Sequence, residues 1–200
     1  MPDVAYMQAL RKRCDETGAL LVFDEIQTGF GRTGKLFAFE HYGIVPDILM
    51  LAKGIGGGMP LGAFVAAKQV MDVIKDNPML GHITTFGGHP VSCAAAKASL
   101  EVILENQLVE QVAEKEKLFR CLLQHPKIKE IRGKGLMMCL QLENFEQVYN
   151  VSNYCAQQGI MIDWYLHCET ALRVAPPLTI SNEEIEKACK IILAGIEKYG

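Results

Sequence analysis

Hydrophobic positions along the chain switch between a helical period and short continuous runs. Val4, Met7, Leu10 and Cys14 recur at spacings of three and four, with Gly18 beyond them, which predicts an amphipathic helix over 4–17 closed by a glycine cap. Ala19-Leu20-Leu21-Val22-Phe23 is apolar at every position and ends on Asp24-Glu25, as expected of a parallel strand buried on both faces. A polar, glycine-rich loop from Gln27 to Lys35 leads into a short helical stretch, Leu36 to Tyr42, closed by Gly43. The next apolar strand, Ile48-Leu49-Met50-Leu51-Ala52, runs directly into Lys53-Gly54. A further strand at Ala63 to Ala66 and a helix from Lys68 to Ile74 are expected next. The turn Thr84-Thr85-Phe86-Gly87-Gly88-His89-Pro90 then opens a long helix to about Glu105. Pro90 suits the first turn of that helix, where a missing N–H costs nothing.

Helical pattern continues to Leu123, after which the character changes. Strands near Ile128 to Ile131, Leu136 to Leu142, Met161 and Leu172 to Val174, with a helix around Gln147 to Gln158, read as an α+β unit. A final helix, Glu183 to Lys198, carries a capping box in Ser181 and Glu184. The expected organisation is therefore two parts, residues 1–104 and 105–200. Asp24 and Lys53 lie 29 positions apart, close to one βαβ repeat of roughly 30 residues. They are expected at the ends of neighbouring strands, facing the crevice where open α/β sheets bind ligands.

Composition narrows the function. In 200 residues, 20 Lys and Arg stand against 23 Asp and Glu, a net charge of −3 that offers no basic field for nucleic acid. Half the chain is hydrophobic, enough to build a core. No apolar run reaches the roughly 18 to 20 residues of a membrane span, and Met1-Pro2-Asp3 lacks the order of a signal peptide, so a soluble, cytoplasmic protein without membrane contact is expected. The seven cysteines are odd in number and scattered without a C-x-x-C pair, and are expected to be reduced and mostly in the core. His41, His82, His125 and His167 show no ligand spacing, so no metal is expected.

Lys53 interrupts an apolar strand end and precedes Gly54, Gly56, Gly57 and Gly58, where backbone can approach a ligand closely. It is either a solvated lysine or, in a semi-buried crevice, an amine made nucleophilic towards carbonyls. Asp24 is either a polar strand end that caps the following turn or the acid partner that pyridoxal phosphate chemistry requires for its ring nitrogen. Gly54 to Gly58 lacks the order of a phosphate loop, and Gly29 to Gly34 lacks the dinucleotide spacing. Thr84-Thr85 ahead of Gly87-Gly88 and a helix start suits an anion such as phosphate, or serves as a helix cap alone.

Taken together, Phe23-Asp24-Glu25-Ile26-Gln27-Thr28-Gly29-Phe30-Gly31-Arg32-Thr33-Gly34, Pro46-Asp47-Ile48, Ala52-Lys53-Gly54, Gly58-Met59-Pro60-Leu61-Gly62-Ala63 and Thr85-Phe86-Gly87-Gly88 resemble the class III pyridoxal-phosphate aminotransferases. This family includes the ornithine, acetylornithine and ω-amino-acid transaminases. The resemblance runs in order over roughly residues 4 to 180.

The resemblance implies an α/β chain of fold type I: 1–104 as part of the large mixed/parallel-sheet domain, and 105–200 as the α+β small C-terminal domain. It implies pyridoxal 5'-phosphate as cofactor, with Lys53 as the Schiff-base lysine, Asp24 paired with the pyridinium and Gln27 on the ring's phenolic oxygen. Thr85 looks like the threonine that reaches the phosphate across a homodimer interface. Arg173, in Leu172-Arg173-Val174-Ala175-Pro176-Pro177, resembles the arginine that grips a substrate carboxylate; without that match it reads as a surface arginine on a strand. The implied reaction moves an amino group from an amino acid or ω-amine donor to a 2-oxo acid, commonly 2-oxoglutarate, with the freed Lys53 carrying the proton. His89 departs from the asparagine common in the family. Family members run to roughly twice this length, so the chain is expected to be the C-terminal half of such an enzyme and to act weakly alone. An aminomutase of the same family, or a non-catalytic dimerisation module, are the alternative readings. Trp164 and Tyr165 either line the substrate region or serve in a core or domain interface, the latter being the expectation.

Overall fold

A computed structural model describes residues 1–200, which divide into two compact units, Pro2–Val109 and Glu110–Gly200.

In the first unit, helix α1 (Val4–Thr17) starts at Asp3, whose carboxylate accepts the N–H groups of Ala5 and Tyr6, and ends at Gly18 with φ +72°. Its Met7, Leu10 and Cys14 pack with Leu21, Phe23, Tyr42 and Ile44, so three of the four predicted stripe positions are used, while Val4 in the first turn is 45% exposed. Strand β1 (Val22–Asp24) pairs in parallel with β2 (Ile48–Leu51), and β2 pairs antiparallel with β3 (Ala63–Ala66). A 3-10 turn, Ala38–Tyr42, lies between β1 and β2, and another, Lys53–Gly56, follows β2. Helices α2 (Lys68–Met71), α3 (Val73–Asp76) and α4 (Pro90–Glu105) complete the unit.

The carboxylate of Asp47 ties these pieces together. It accepts the Leu21 N–H at 2.7 Å and the Arg11 Nη1–H at 2.7 Å, joining α1 to the starts of β1 and β2. The Leu21 N–H first, and then Arg11, hold the Asp47 carboxyl below its ordinary value.

Two expectations for this unit are corrected. The first strand is not buried on both faces: Leu20 is 54% and Val22 47% exposed, because β1 pairs only with β2 and lies at the sheet edge. The single helix expected over 68–74 is two short helices, with Asp72 closing one and opening the other. Asp72, itself helical at φ −62° and ψ −23°, pairs with both Lys68 and Lys75 across the junction, so the two short helices follow one another without a change of backbone region.

The second unit takes in α5 (Leu108–Leu122) from Glu110 onward, followed by β4 (Glu130–Lys134), β5 (Met137–Gln141), α6 (Phe145–Gln157), β6 (Asp163–Tyr165), β7 (Cys168–Val174) and α7 (Asn182–Tyr199). Its sheet is antiparallel throughout in the order β4-β5-β7-β6. Leu140, Leu172, Val148, Val151, Ile185 and Ile196 are fully buried and form its core. The capping box of α7 is present: Ser181 Oγ accepts the Glu184 N–H, and Glu184 Oε2 accepts the Ser181 N–H. Strand β6 starts after Met161, which is 97% exposed, so the strand expected near that residue lies slightly later. Lys115, on α5, is buried and donates to the Leu178 carbonyl at 2.6 Å, fastening the segment that follows β7. Burial lowers the pKa of that ammonium.

All seven cysteines are free thiols, but Cys93 and Cys121 are exposed instead of packed in the core. Burial pushes Cys155 up to about 11 and Cys189 up to about 12. No helix is long and apolar enough to cross a membrane.

Ser181→Ala should lower the stability of the second unit by about 1 kcal/mol in urea melts, the usual cost of losing an N-cap. A depressed carboxyl supports folding above its unfolded pKa of about 3.9 and ceases to as pH falls through the folded value. Asp47→Asn should therefore lower first-unit stability at neutral pH and flatten its decline on acidification. In thiol-reagent assays at mildly alkaline pH, Cys93 and Cys121 should react at once, and Cys155 and Cys189 only on unfolding.

Candidate active site

Because β1 and β2 are parallel and in register, with Val22 opposite Ile48 and Asp24 opposite Met50, their carboxyl ends emerge on one edge of the sheet. Asp24 is the last residue of β1, and Lys53 is the first residue of the turn after β2. The structure thus brings these two predicted residues to neighbouring strand ends. The Glu25 N–H donates to the Met50 carbonyl at 3.0 Å, extending the pairing one step past β1. Asp24 also has its local role, since its Oδ1 accepts the Ile26 N–H at 2.9 Å; its second oxygen is the one available to a ligand.

Lys53 has φ +48°, a left-handed conformation that costs a residue with a Cβ about 1–2 kcal/mol. Strain of this kind persists where surrounding packing fixes it. That packing is on both sides. Phe30, itself left-handed at φ +57° and buried, lies against Gly54, where an added Cβ would stand 3.5 Å from the Phe30 Cβ. Helix α4 closes on Gly57, where a Cβ would meet the Ala95 carbonyl oxygen at 2.5 Å and the Ser99 Cβ at 2.9 Å. Only glycine allows that approach. In this chain Lys53 and Asp24 are exposed, so the semi-buried crevice expected around the lysine is not closed by these 200 residues.

Gln27 lies exposed in the turn after β1. Beside it, Glu25 is 1% exposed and was not singled out from the sequence. Its carboxylate accepts the Thr28 hydroxyl and, at 2.8 Å, the Phe39 N–H, which folds the loop back over the strand end. The signal for this role was the second acid of Asp24-Glu25: side chains alternate along an extended segment, so adjacent acids face opposite ways. Thr85 lies exposed in the turn ahead of α4. Neither Thr84 nor Thr85 caps that helix, whose cap position is His89 with no side-chain hydrogen bond. The threonines are thus not consumed by a capping role.

Arg173, in the second unit, sits on β7 directly opposite Asp163 of β6. Its Nε donates to Asp163 Oδ1 at 2.8 Å and its Nη2 to Oδ2 at 2.5 Å, a two-bond fork. Its guanidinium also lies 6.0 Å from the centre of the Tyr165 ring, whose hydroxyl donates to the Met138 carbonyl. Sequence reasoning missed Asp163, because cross-strand neighbours are set by register. Trp164 belongs to an aromatic group with Phe145 and Tyr149, its ring 5.2 Å from Phe145 and edge-on to it.

The sequence model for aminotransferase class-III matches residues 1–196. Among solved structures, an aminotransferase from Bacillus anthracis is 34% identical with a TM-score of 0.91, aligned over 99% of this chain and 49% of its own. The acetylornithine aminotransferase from Elizabethkingia anophelis is 33% identical with a TM-score of 0.89, over 100% of this chain and 51% of its own. An ornithine aminotransferase from Toxoplasma gondii, with pyridoxal phosphate at partial occupancy in its active site, is 32% identical with a TM-score of 0.90, over 100% and 47%. The chain belongs to the class III aminotransferases and spans about half the length of these relatives.

If the strain at Lys53 is held by the fold, Lys53→Gly should stabilise the first unit by about 1 kcal/mol in denaturant melts, while Lys53→Ala should not. Gly57→Ala should destabilise it by about 1–3 kcal/mol, since neither the α4 backbone nor a positive φ accommodates a methyl group.

Proposed function

We propose that this chain is the C-terminal half of a homodimeric, pyridoxal 5'-phosphate-dependent aminotransferase that moves an amino group from an amino acid or ω-amine to a 2-oxo acid such as 2-oxoglutarate. The observation that carries the reading is the pairing of Asp24 and Lys53 at the ends of two in-register parallel strands, with Lys53 held in a strained backbone. On this reading Pro2–Val109 is part of the large cofactor domain and Glu110–Gly200 most of the small C-terminal domain.

The donor set matches the three reactive ends of the cofactor. Lys53 offers an amine for the aldehyde, Asp24 a carboxylate for the ring nitrogen, and Thr85 a hydroxyl for the phosphate ahead of a helix no side chain caps. Gln27, one turn beyond Asp24, is assigned the ring's phenolic oxygen. When bound, the cofactor supplies an electron sink for the pair released from the substrate's α-carbon. Asp24 would place negative charge beside the ring nitrogen and so favour its protonated form. Lys53 would hold the cofactor through its amine and, when that amine is free, would carry the proton from the substrate carbon. Arg173 is assigned the substrate carboxylate, for which its planar fork is suited.

A homodimer is supported by the turn that carries Thr85. Met79, Leu80, Ile83 and Phe86 are all strongly exposed there, Phe86 at 79%, as a segment covered by a second subunit would be. Free thiols throughout fit a cytoplasmic location.

Incubation of the 200-residue chain with excess pyridoxal 5'-phosphate, followed by borohydride reduction and peptide mapping, tests the assignment. Reduction accumulates even a sparsely populated linkage. Label concentrated on Lys53 over the exposed Lys35, Lys68 and Lys75, and diminished by Asp24→Ala, is expected. Label spread evenly over these lysines would contradict it.

A further inference from the structure

We infer, on the reading of Asp24, Gln27 and Lys53 as groups that hold the cofactor, that Glu25 is a positioning residue: its buried carboxylate sets where Gln27 stands beside Asp24 and, through Phe30, where the turn that carries Lys53 lies.

Burying a carboxylate is costly unless its oxygens are hydrogen-bonded, and Glu25, 1% exposed, has every polar group in use. Its N–H donates to the Met50 carbonyl and its carbonyl accepts the Gly29 N–H, both at 3.0 Å. Oε2 accepts the Thr28 hydroxyl, and Oε1 accepts the Phe39 N–H at 2.8 Å. Asp24 accepts the Ile26 N–H. Gln27 therefore stands in a turn held at Ile26 by one acid and at Thr28 and Gly29 by the other. Its own side chain is exposed, so burial does not fix it. The turn is tight: a Cβ on Gly29 would stand 2.9 Å from the Glu25 carbonyl oxygen.

A second path from Glu25 runs through aromatic rings. The bond to the Phe39 N–H places the Phe39 ring, which stacks on Phe37 with centres 5.8 Å apart, and Phe37 meets Phe30 edge-on at 5.7 Å. Phe30, which also follows Gly29 directly in the chain, is the side chain packed on Gly54 next to Lys53. A strained backbone such as that of Lys53 persists only where its neighbours are fixed. Glu25 thus couples the two strand ends by contacts that neither Asp24 nor Lys53 makes itself. The rest of the unit has separate ties, Asp47 with Leu21 and Arg11, and His41 Nε2 at 3.1 Å from the Thr33 carbonyl and hydroxyl oxygens. Loss of the Glu25 carboxylate should therefore loosen the site and leave the unit folded.

Two measurements on the 200-residue chain test this: borohydride labelling of Lys53 by pyridoxal 5'-phosphate, and amide hydrogen exchange at Gly29 without cofactor. The acceptor of the Gly29 N–H is a main-chain carbonyl that every variant keeps. In Glu25→Ala, Gly29 should exchange about tenfold faster and Lys53 should take about tenfold less label. Glu25→Gln should match the unmodified chain, because its amide oxygen can accept the Phe39 N–H and its amide nitrogen can donate to Thr28. Asp47→Asn, which weakens the same unit at its other end, should keep the label on Lys53. Should Glu25→Ala fail to fold, Thr28→Val is expected to lose label and Thr28→Ser to keep it; label equal in these two would overturn the role. Unchanged Gly29 exchange in Glu25→Ala, an equal loss of label in Asp47→Asn, or a loss in Glu25→Gln as large as in Glu25→Ala would each overturn it as well. Label without preference for Lys53 in the unmodified chain would contradict the site itself, and the role of Glu25 with it.

Discussion

The site depends on one constraint, the in-register parallel pairing of β1 with β2. Antiparallel or slipped strands would send Asp24 and Lys53 to different edges or different faces. Both ends of the pairing are secured. At the start, Asp47 holds the Leu21 N–H and Arg11 together, fixing where each strand begins relative to α1. At the far end, Gly57 admits α4 against the turn that carries Lys53, and Phe30 packs on Gly54. The lysine is left in a left-handed conformation that local preference would not choose. Its position is imposed by the surrounding packing, as expected where chemistry is more demanding than stability.

Much of this was legible in the chain itself. Periodicity placed α1, and the 29-residue spacing put Asp24 and Lys53 at neighbouring strand ends, because a βαβ-sized connection leaves few alternatives. The Ser181–Glu184 cap was readable because it is encoded within four residues. Burial was not readable in the same way. A run such as Ala19 to Phe23 states what the strand would bury against, not whether these 200 residues supply it, and Leu20 and Val22 remain about half exposed.

The second unit shows a different boundary. Arg173 was found through its surroundings in the chain, yet Asp163, ten residues away, was invisible until the β6–β7 register was known. Lys115 and Leu178 are separated by 63 positions, and no local pattern announces a lysine whose amine is spent on a distant carbonyl. Glu25 was in plain view as half of an acidic pair, but only the folded loop shows that it is the buried partner and Asp24 the exposed one. Long-range polar contacts of this type follow topology, so motif reading reaches them last.

The account turns on Lys53 and Asp24 acting as one site, and absorbance titration with pyridoxal 5'-phosphate reads that directly. The unmodified chain should develop a band distinct from the free aldehyde; Lys53→Ala should lack it, and Asp24→Asn should show it at reduced amplitude or altered position. A spectrum that is the same in all three proteins would contradict the account.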